Sequence, residues 1–120
     1  MCQILIVEDE ARLAAFIEKG LRQNGFTTSV AEDGQQAIAM ATDQDFALLV
    51  LDLGLPIKDG WAVLRELRQQ GKRVPIIVVT ALNSENRKMA LASGANDYLT
   101  KPFRFQELLT KIQSQLAADA

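Results

Sequence analysis

Glu8 with Asp9, Asp52, Thr80 and Lys101 stand at the ends of four short apolar runs, and each is of a type that can hold a metal or a phosphate. Ile4-Leu5-Ile6-Val7 stops at Glu8 and Asp9, and Leu48-Leu49-Val50-Leu51 stops at Asp52. Ile76-Ile77-Val78-Val79 stops at Thr80, and Tyr98-Leu99-Thr100 stops at Lys101. Hard carboxylate oxygens suit a small divalent cation, while a hydroxyl and an ammonium suit the oxygens of a phosphate. If the runs are parallel strands of one sheet, all four endings meet at its carboxyl edge, where open α/β folds place their ligands.

Taken singly, these residues have ordinary structural explanations. Acids such as Glu8 and Asp9 ahead of a helix commonly cap it or complement its dipole. Asp after a strand is a frequent turn residue, although four apolar residues lead into Asp52 and a carboxylate at the edge of a buried strand needs compensation. Thr80 is a β-branched strand end, Tyr98 an aromatic suited to an edge strand, and Lys101 a surface charge followed by Pro102, where a cis bond would turn the chain. The joint arrangement is what is specific.

The elements that must position these residues are legible in the periodicity. Continuous apolar runs at Ile4, Leu48 and Ile76 suit strands buried on both faces, as in parallel sheets. Helical spacing connects Leu13, Phe16, Ile17, Gly20 and Leu21, then Ala37, Ile38 and Ala41, then Leu64 and Leu67, and last Leu108, Leu109, Ile112 and Leu116. Asn24-Gly25, Asp33-Gly34, Asp59-Gly60, Gln70-Gly71 and Ser93-Gly94 fall where helices should start or stop. Thr27-Thr28-Ser29-Val30-Ala31 is more polar and suits a sheet edge. The pattern predicts an α/β fold of five βα units, with right-handed crossovers placing helices on both faces of the sheet.

Composition excludes several classes. A chain of 120 residues, 48% hydrophobic and 23% charged, fits one globular domain over 1–120. The net charge is −2 and the 13 Lys and Arg are scattered, so direct nucleic-acid binding is not expected. No histidine is present, which removes Ser-His-Asp and Cys-His catalysis; with the single Cys2, ordinary zinc sites go as well. One cysteine reads as cytoplasmic, and no stretch has the length for a signal peptide or a membrane span.

Several segments together make the chain resemble the receiver domain of two-component response regulators: Ile-Val-Glu-Asp-Glu at 6 to 10, Leu-Asp-Leu-Gly-Leu-Pro at 51 to 56 with Asp59-Gly60 behind it, Val-Thr-Ala at 79 to 81, and Gly-Ala-Asn-Asp-Tyr-Leu-Thr-Lys-Pro-Phe at 94 to 103. The resemblance covers essentially the whole chain. It implies a flavodoxin-like, doubly wound (βα)5 fold whose five-stranded parallel sheet has the order 2-1-3-4-5, an order shared by flavodoxins and receivers.

By position, the resemblance implies that Asp52 is the phosphoacceptor, and that Glu8, Asp9, Asp52 and the carbonyl at Gly54 hold Mg²⁺. Lys101, Thr80 and the Ala81 amide would contact phosphoryl oxygens. The donor would be a phosphohistidine on a sensor histidine kinase or histidine phosphotransfer protein, docking beside the first helix and the Pro102 loop. Thr80 and Tyr98 would form a switch read out on the face of the fourth helix, fifth strand and fifth helix. Gly54 and Leu82, two beyond Asp52 and Thr80, offer no polar group to orient water, so slow self-dephosphorylation is expected.

Resemblance is nearest to receivers that carry a C-terminal winged-helix DNA-binding domain. In those, the output face often dimerises through charged pairs, for which Arg87 with Glu107 and Asp97 with Lys111 are candidates here. Asn96, Ser93 and Ser114 are neutral where charges are common, which predicts a weak homodimer. An aspartyl-nucleophile phosphatase or phosphotransferase would place a second Asp where Gly54 stands, so a phosphoacceptor rather than an enzyme is expected. A flavin carrier would need a phosphate loop where Glu8-Asp9-Glu10 repels one, and an unphosphorylated interaction module would not need the full site. The chain reads equally as a single-domain regulator or as a receiver cut from a longer protein.

Overall fold

The computed structural model describes residues 2–81 and 84–118, with the side chains of 84–86 left aside. Ten elements alternate: β1 (Gln3–Val7), α1 (Ala11–Gln23), β2 (Thr27–Ala31), α2 (Gly34–Asp43), β3 (Leu48–Asp52), α3 (Gly60–Gln69), β4 (Ile76–Thr80), α4 (Ser84–Ala92), β5 (Asp97–Thr100) and α5 (Phe105–Ala118). All strand pairs are parallel and the order is β2-β1-β3-β4-β5, as the family resemblance implies. The more polar Thr27–Ala31 is indeed an edge.

Successive side chains on a strand point to opposite faces, so a continuously apolar strand feeds two cores. Ile4, Ile6, Leu48, Val50, Ile77 and Val79 pack with Ile17 and Leu21 of α1 and with Leu108 and Ile112 of α5. Leu5, Val7, Leu49, Leu51, Ile76 and Val78 pack instead with Ala37 of α2, Val63, Leu64 and Leu67 of α3, and Ala90 of α4. The sheet is thereby sealed on both sides, and polar chemistry is left to its edges and ends.

Helix boundaries follow the expected punctuation. Asp33 and Asp59 cap α2 and α3 by accepting from the N–H groups of Gln36 and Ala62 at 2.8 and 2.9 Å. Gly60 opens α3 for a steric reason: a Cβ there would strike the Asp52 carbonyl and come within 2.6 Å of Leu53 Cα. The α3 start is thus pressed against the end of β3. Phe16, read from spacing as part of the α1 apolar stripe, is instead 50% exposed and packs edge-on against Phe105 with ring centroids 6.1 Å apart.

Candidate functional site

Sheet register brings the candidate residues together. Val7 pairs with Leu51, so Glu8 continues beside Asp52; Asp52 pairs with Val79, which leaves Thr80 one residue further along the next strand, and Thr80 pairs with Thr100, just before Lys101. Glu8, Asp52 and Thr80 are the buried polar residues among those described, at 4%, 8% and 3% exposure, while Asp9 and Ala81 are exposed. Buried carboxylates require partners to stay charged.

Those partners are present. Lys101 Nζ lies 3.1 Å from Glu8 Oε1 and 3.4 Å from Asp52 Oδ2. Asp52 Oδ1 accepts from the Gly54 N–H at 3.2 Å, and Glu8 Oε2 accepts from the Glu10 N–H at 3.1 Å. Glu8 therefore serves the start of α1, as acids ahead of a helix do, while its other oxygen faces the pocket. Carboxylate oxygens of Glu8, Asp9 and Asp52 lie within 4.8 Å of one another. That spacing suits a shared cation and is repulsive without one.

Electrostatics follow from this crowding. Burial raises the Glu8 carboxyl above its ordinary value; the Glu10 N–H pulls it down, the Asp52 charge pushes it up and Lys101 pulls it down, with the net shift upward. Burial alone would lower Lys101, but the hydrogen bond to Glu8 and the charges of Asp52 and Glu8 outweigh it, and the ammonium is held above its ordinary value. The pocket thus favours the charged form of Lys101 and disfavours the charged form of Glu8.

An open groove of about 530 Å³ adjoins the pocket, lined by Arg12 and Leu13 of α1, Ala81, Lys101, Pro102 and Phe103. The Lys101–Pro102 bond is cis. The β3–α3 loop on the other side carries Ile57 at φ 68, with the Lys58 N–H donating to the Pro56 carbonyl at 2.7 Å. This is a γ-turn of the strained, positive-φ kind, at a β-branched residue.

The face made by α4, β5 and α5 holds the remaining candidates. Lys111 Nζ pairs with Asp97 Oδ1 at 3.3 Å within the chain. Arg87 places its guanidinium carbon 4.8 Å from the centroid of the Tyr98 ring, which is partly buried against the α2–α4 core. Glu107 Oε1 accepts from the Arg104 N–H at 3.0 Å at the start of α5. Arg87 and Glu107 are thus occupied by different groups of their own chain. Leu82 lies outside the described residues.

Two structural roles had no signal in the sequence. The Arg68 guanidinium donates to the carbonyls of Gly94, Lys72 and Val74 and to Asn96 Oδ1, at 2.8 to 3.0 Å. Asn96 Oδ1 also accepts from the Ile76 N–H at 2.9 Å, so this residue, notable in sequence as a missing charge, stitches β4 to the α4–β5 turn.

Known proteins resemble this chain in sequence and fold. The chain is 42% identical over 115 residues to the transcriptional regulatory protein HprR of Escherichia coli K12, covering 95% of the chain and 51% of that protein. It spans about half the length of the curated relatives it matches. The receiver domain of the Francisella response regulator 1452 superposes with a TM-score of 0.97 at 33% identity over 100% of both chains. The receiver domain of the sensor histidine kinase PA1611 from Pseudomonas aeruginosa, solved with a magnesium ion coordinated in its active-site cleft, superposes at 0.88 with 37% identity over 97% of this chain and 98% of that one. The family described as the response regulator receiver domain matches residues 4–113, and the chain belongs to it.

Proposed function

We propose that residues 1–120 form one receiver domain that accepts a phosphoryl group on Asp52 from a phosphohistidine and signals the event on its α4-β5-α5 face. The observation that carries the reading is the convergence of Asp52, Glu8, Asp9 and Lys101 at one sheet edge, with carboxylate oxygens within 4.8 Å and the ammonium between two of them.

The donor set fits Mg²⁺: hard oxygens, two of the acids buried, and a Glu8 carboxyl raised chiefly by burial and further by the Asp52 charge. Glu8, Asp9, Asp52 and the Gly54 carbonyl would hold the ion. When bound, it supplies positive charge that neutralises the carboxylates and a phosphoryl oxygen.

The chain's own residues perform the rest. An Asp52 carboxylate oxygen attacks phosphorus in line; the new P–O bond forms as the P–N bond to the donor histidine breaks, and the imidazole leaves with the electron pair and takes up a proton. Lys101, already 3.4 Å from Asp52, neutralises a second phosphoryl oxygen. Thr80 and the Ala81 N–H receive the third. The groove lined by Leu13, Pro102 and Phe103 beside Lys101 suits the apolar surface of a sensor kinase or phosphotransfer protein presenting that histidine.

Signalling passes through Thr80 and Tyr98. Tyr98 pairs with Val78, and Thr80 lies two residues beyond Val78, so both side chains stand on the same face of the sheet. A Thr80 hydroxyl drawn toward the phosphoryl group vacates space toward which Tyr98 turns, and the output face changes with it. The domain acts as a phosphoacceptor in the cytoplasm rather than as an enzyme with external substrates. A longer chain would carry the DNA-binding output suggested by the transcriptional regulatory relatives, and a second copy would dock weakly through α4-β5-α5. Among the described residues, no helix is long and apolar enough to cross a membrane. Loading with acetyl phosphate and mapping the label to Asp52 tests the reading.

A further inference from the structure

We propose that Arg87 is a positioning residue of the switch, holding the Tyr98 ring in the partly buried, unphosphorylated placement it has here by stacking its guanidinium on it. The proposal rests on the switching role assigned to Tyr98 above and adds to it the group that Tyr98 must leave. Its basis is the geometry of the output face. The Arg87 guanidinium carbon is 4.8 Å from the ring centroid, within the distance at which a cation is attracted by the aromatic face.

The neighbouring charges are engaged elsewhere. Lys111 lies on Asp97, and Glu107 accepts from the Arg104 N–H at the head of α5. Arg87 is exposed and projects from α4, whereas Tyr98 belongs to the edge strand β5, so the contact bridges two elements of the output face. An inward turn of the ring removes the π face from Arg87 and releases its guanidinium to solvent or to a carboxylate of another molecule. Ring placement and the charge presented by α4 are then one coupled variable. A stacking contact at such a site biases the ring toward this placement about two- to five-fold.

The chain contains one tyrosine, so biosynthetic 3-fluorotyrosine gives a single ¹⁹F resonance that reports Tyr98 alone. Wild type, Arg87→Met and Arg87→Lys would be titrated with beryllofluoride, a mimic of the acyl phosphate, in saturating Mg²⁺. In wild type the resonance should move on titration. Arg87→Met, without beryllofluoride, should start part of the way toward the saturated wild-type position and reach half-saturation at about two- to five-fold lower beryllofluoride. Arg87→Lys, which keeps a cation, should stay near wild type. In a Tyr98→Leu background, followed by Trp61 fluorescence, Arg87→Met should change the half-saturation point no further. A wild-type resonance indifferent to beryllofluoride would overturn the switching role of Tyr98 and the proposal with it. A resonance that moves in wild type, with Arg87→Met sharing both its starting position and its half-saturation point, would overturn the role of Arg87 alone.

Discussion

Lys101 Nζ lies 3.1 Å from Glu8 Oε1, so the ammonium proposed to receive a phosphoryl oxygen is bound beforehand to an acid from the opposite end of the chain. The same ammonium reaches Asp52 at 3.4 Å, and a single positive charge therefore serves a pocket of three carboxylates. Several consequences of that imbalance can be measured.

The metal-free chain should be destabilised by its own site. Glu8 binds its proton more tightly folded than unfolded, so the folded state carries more protons and stability falls as pH rises above the ordinary glutamate value of 4.5, until Glu8 is ionised in both states. Lys101 is also raised and so has the same slope in an alkaline window: its stabilising contribution is full below 10.5 and is lost as pH rises through its raised folded value. Glu8→Gln should stabilise the metal-free chain at neutral pH, on the order of 1 kcal/mol, in urea unfolding with chelator present. Lower stability in the variant would show that the Glu8 charge is fully compensated.

Metal binding should depend on all three acids. Trp61 begins α3 just behind the Asp52 loop and is partly buried, so its fluorescence should report Mg²⁺ titration. Asp9→Ala should weaken the affinity by about tenfold or more. Unchanged affinity would remove Asp9 from the site.

Most of this was legible in the sequence because the relevant signals are local. A run such as Ile76-Ile77-Val78-Val79 suits a strand buried on both faces, as it proves to be, and Asp33-Gly34 and Asp59-Gly60 announce helix starts that the Asp side chains do cap. Parallel strands ending together bring Glu8, Asp52, Thr80 and Lys101 to one edge, and the register does so. Strand order came from the family resemblance, since the βα repeat alone is compatible with other orders. Contacts that depend on side-chain reach across elements left no local trace: the stacking of Arg87 on Tyr98, the exposure of Phe16 against Phe105, and the Arg68 cluster. The positive φ at Ile57 was equally invisible, because its residue type argues against that conformation.

Arg68 should matter for stability out of proportion to its partly exposed position. Its planar fork satisfies three carbonyls and Asn96 at once, so Arg68→Ala should cost about 2–4 kcal/mol. Arg68→Lys should recover little of this, since an ammonium cannot span the same acceptors. Full rescue by lysine in chemical denaturation would show that charge, not geometry, holds the α4–β5 turn.

If Asp52 carries an acyl phosphate as proposed, Gly54 should bear on its lifetime. A Cβ at this position would meet nothing nearer than Asp52 Oδ1, at 4.0 Å, so a side chain fits and would stand beside the phosphoryl group. Glycine has no group to orient an attacking water, and the wild type should dephosphorylate slowly. Gly54→Asn should accelerate the decay several-fold after donor removal. Equal decay curves would show that position 54 does not control water access.

The central claim is that Asp52 accepts the phosphoryl group, and intact-mass measurement after incubation with acetyl phosphate and Mg²⁺ tests it most directly. The account predicts a gain of one phosphoryl group in wild type, lost on addition of hydroxylamine as an acyl phosphate should be, and absent from Asp52→Asn. The same gain in Asp52→Asn, or none in folded wild type, would contradict it.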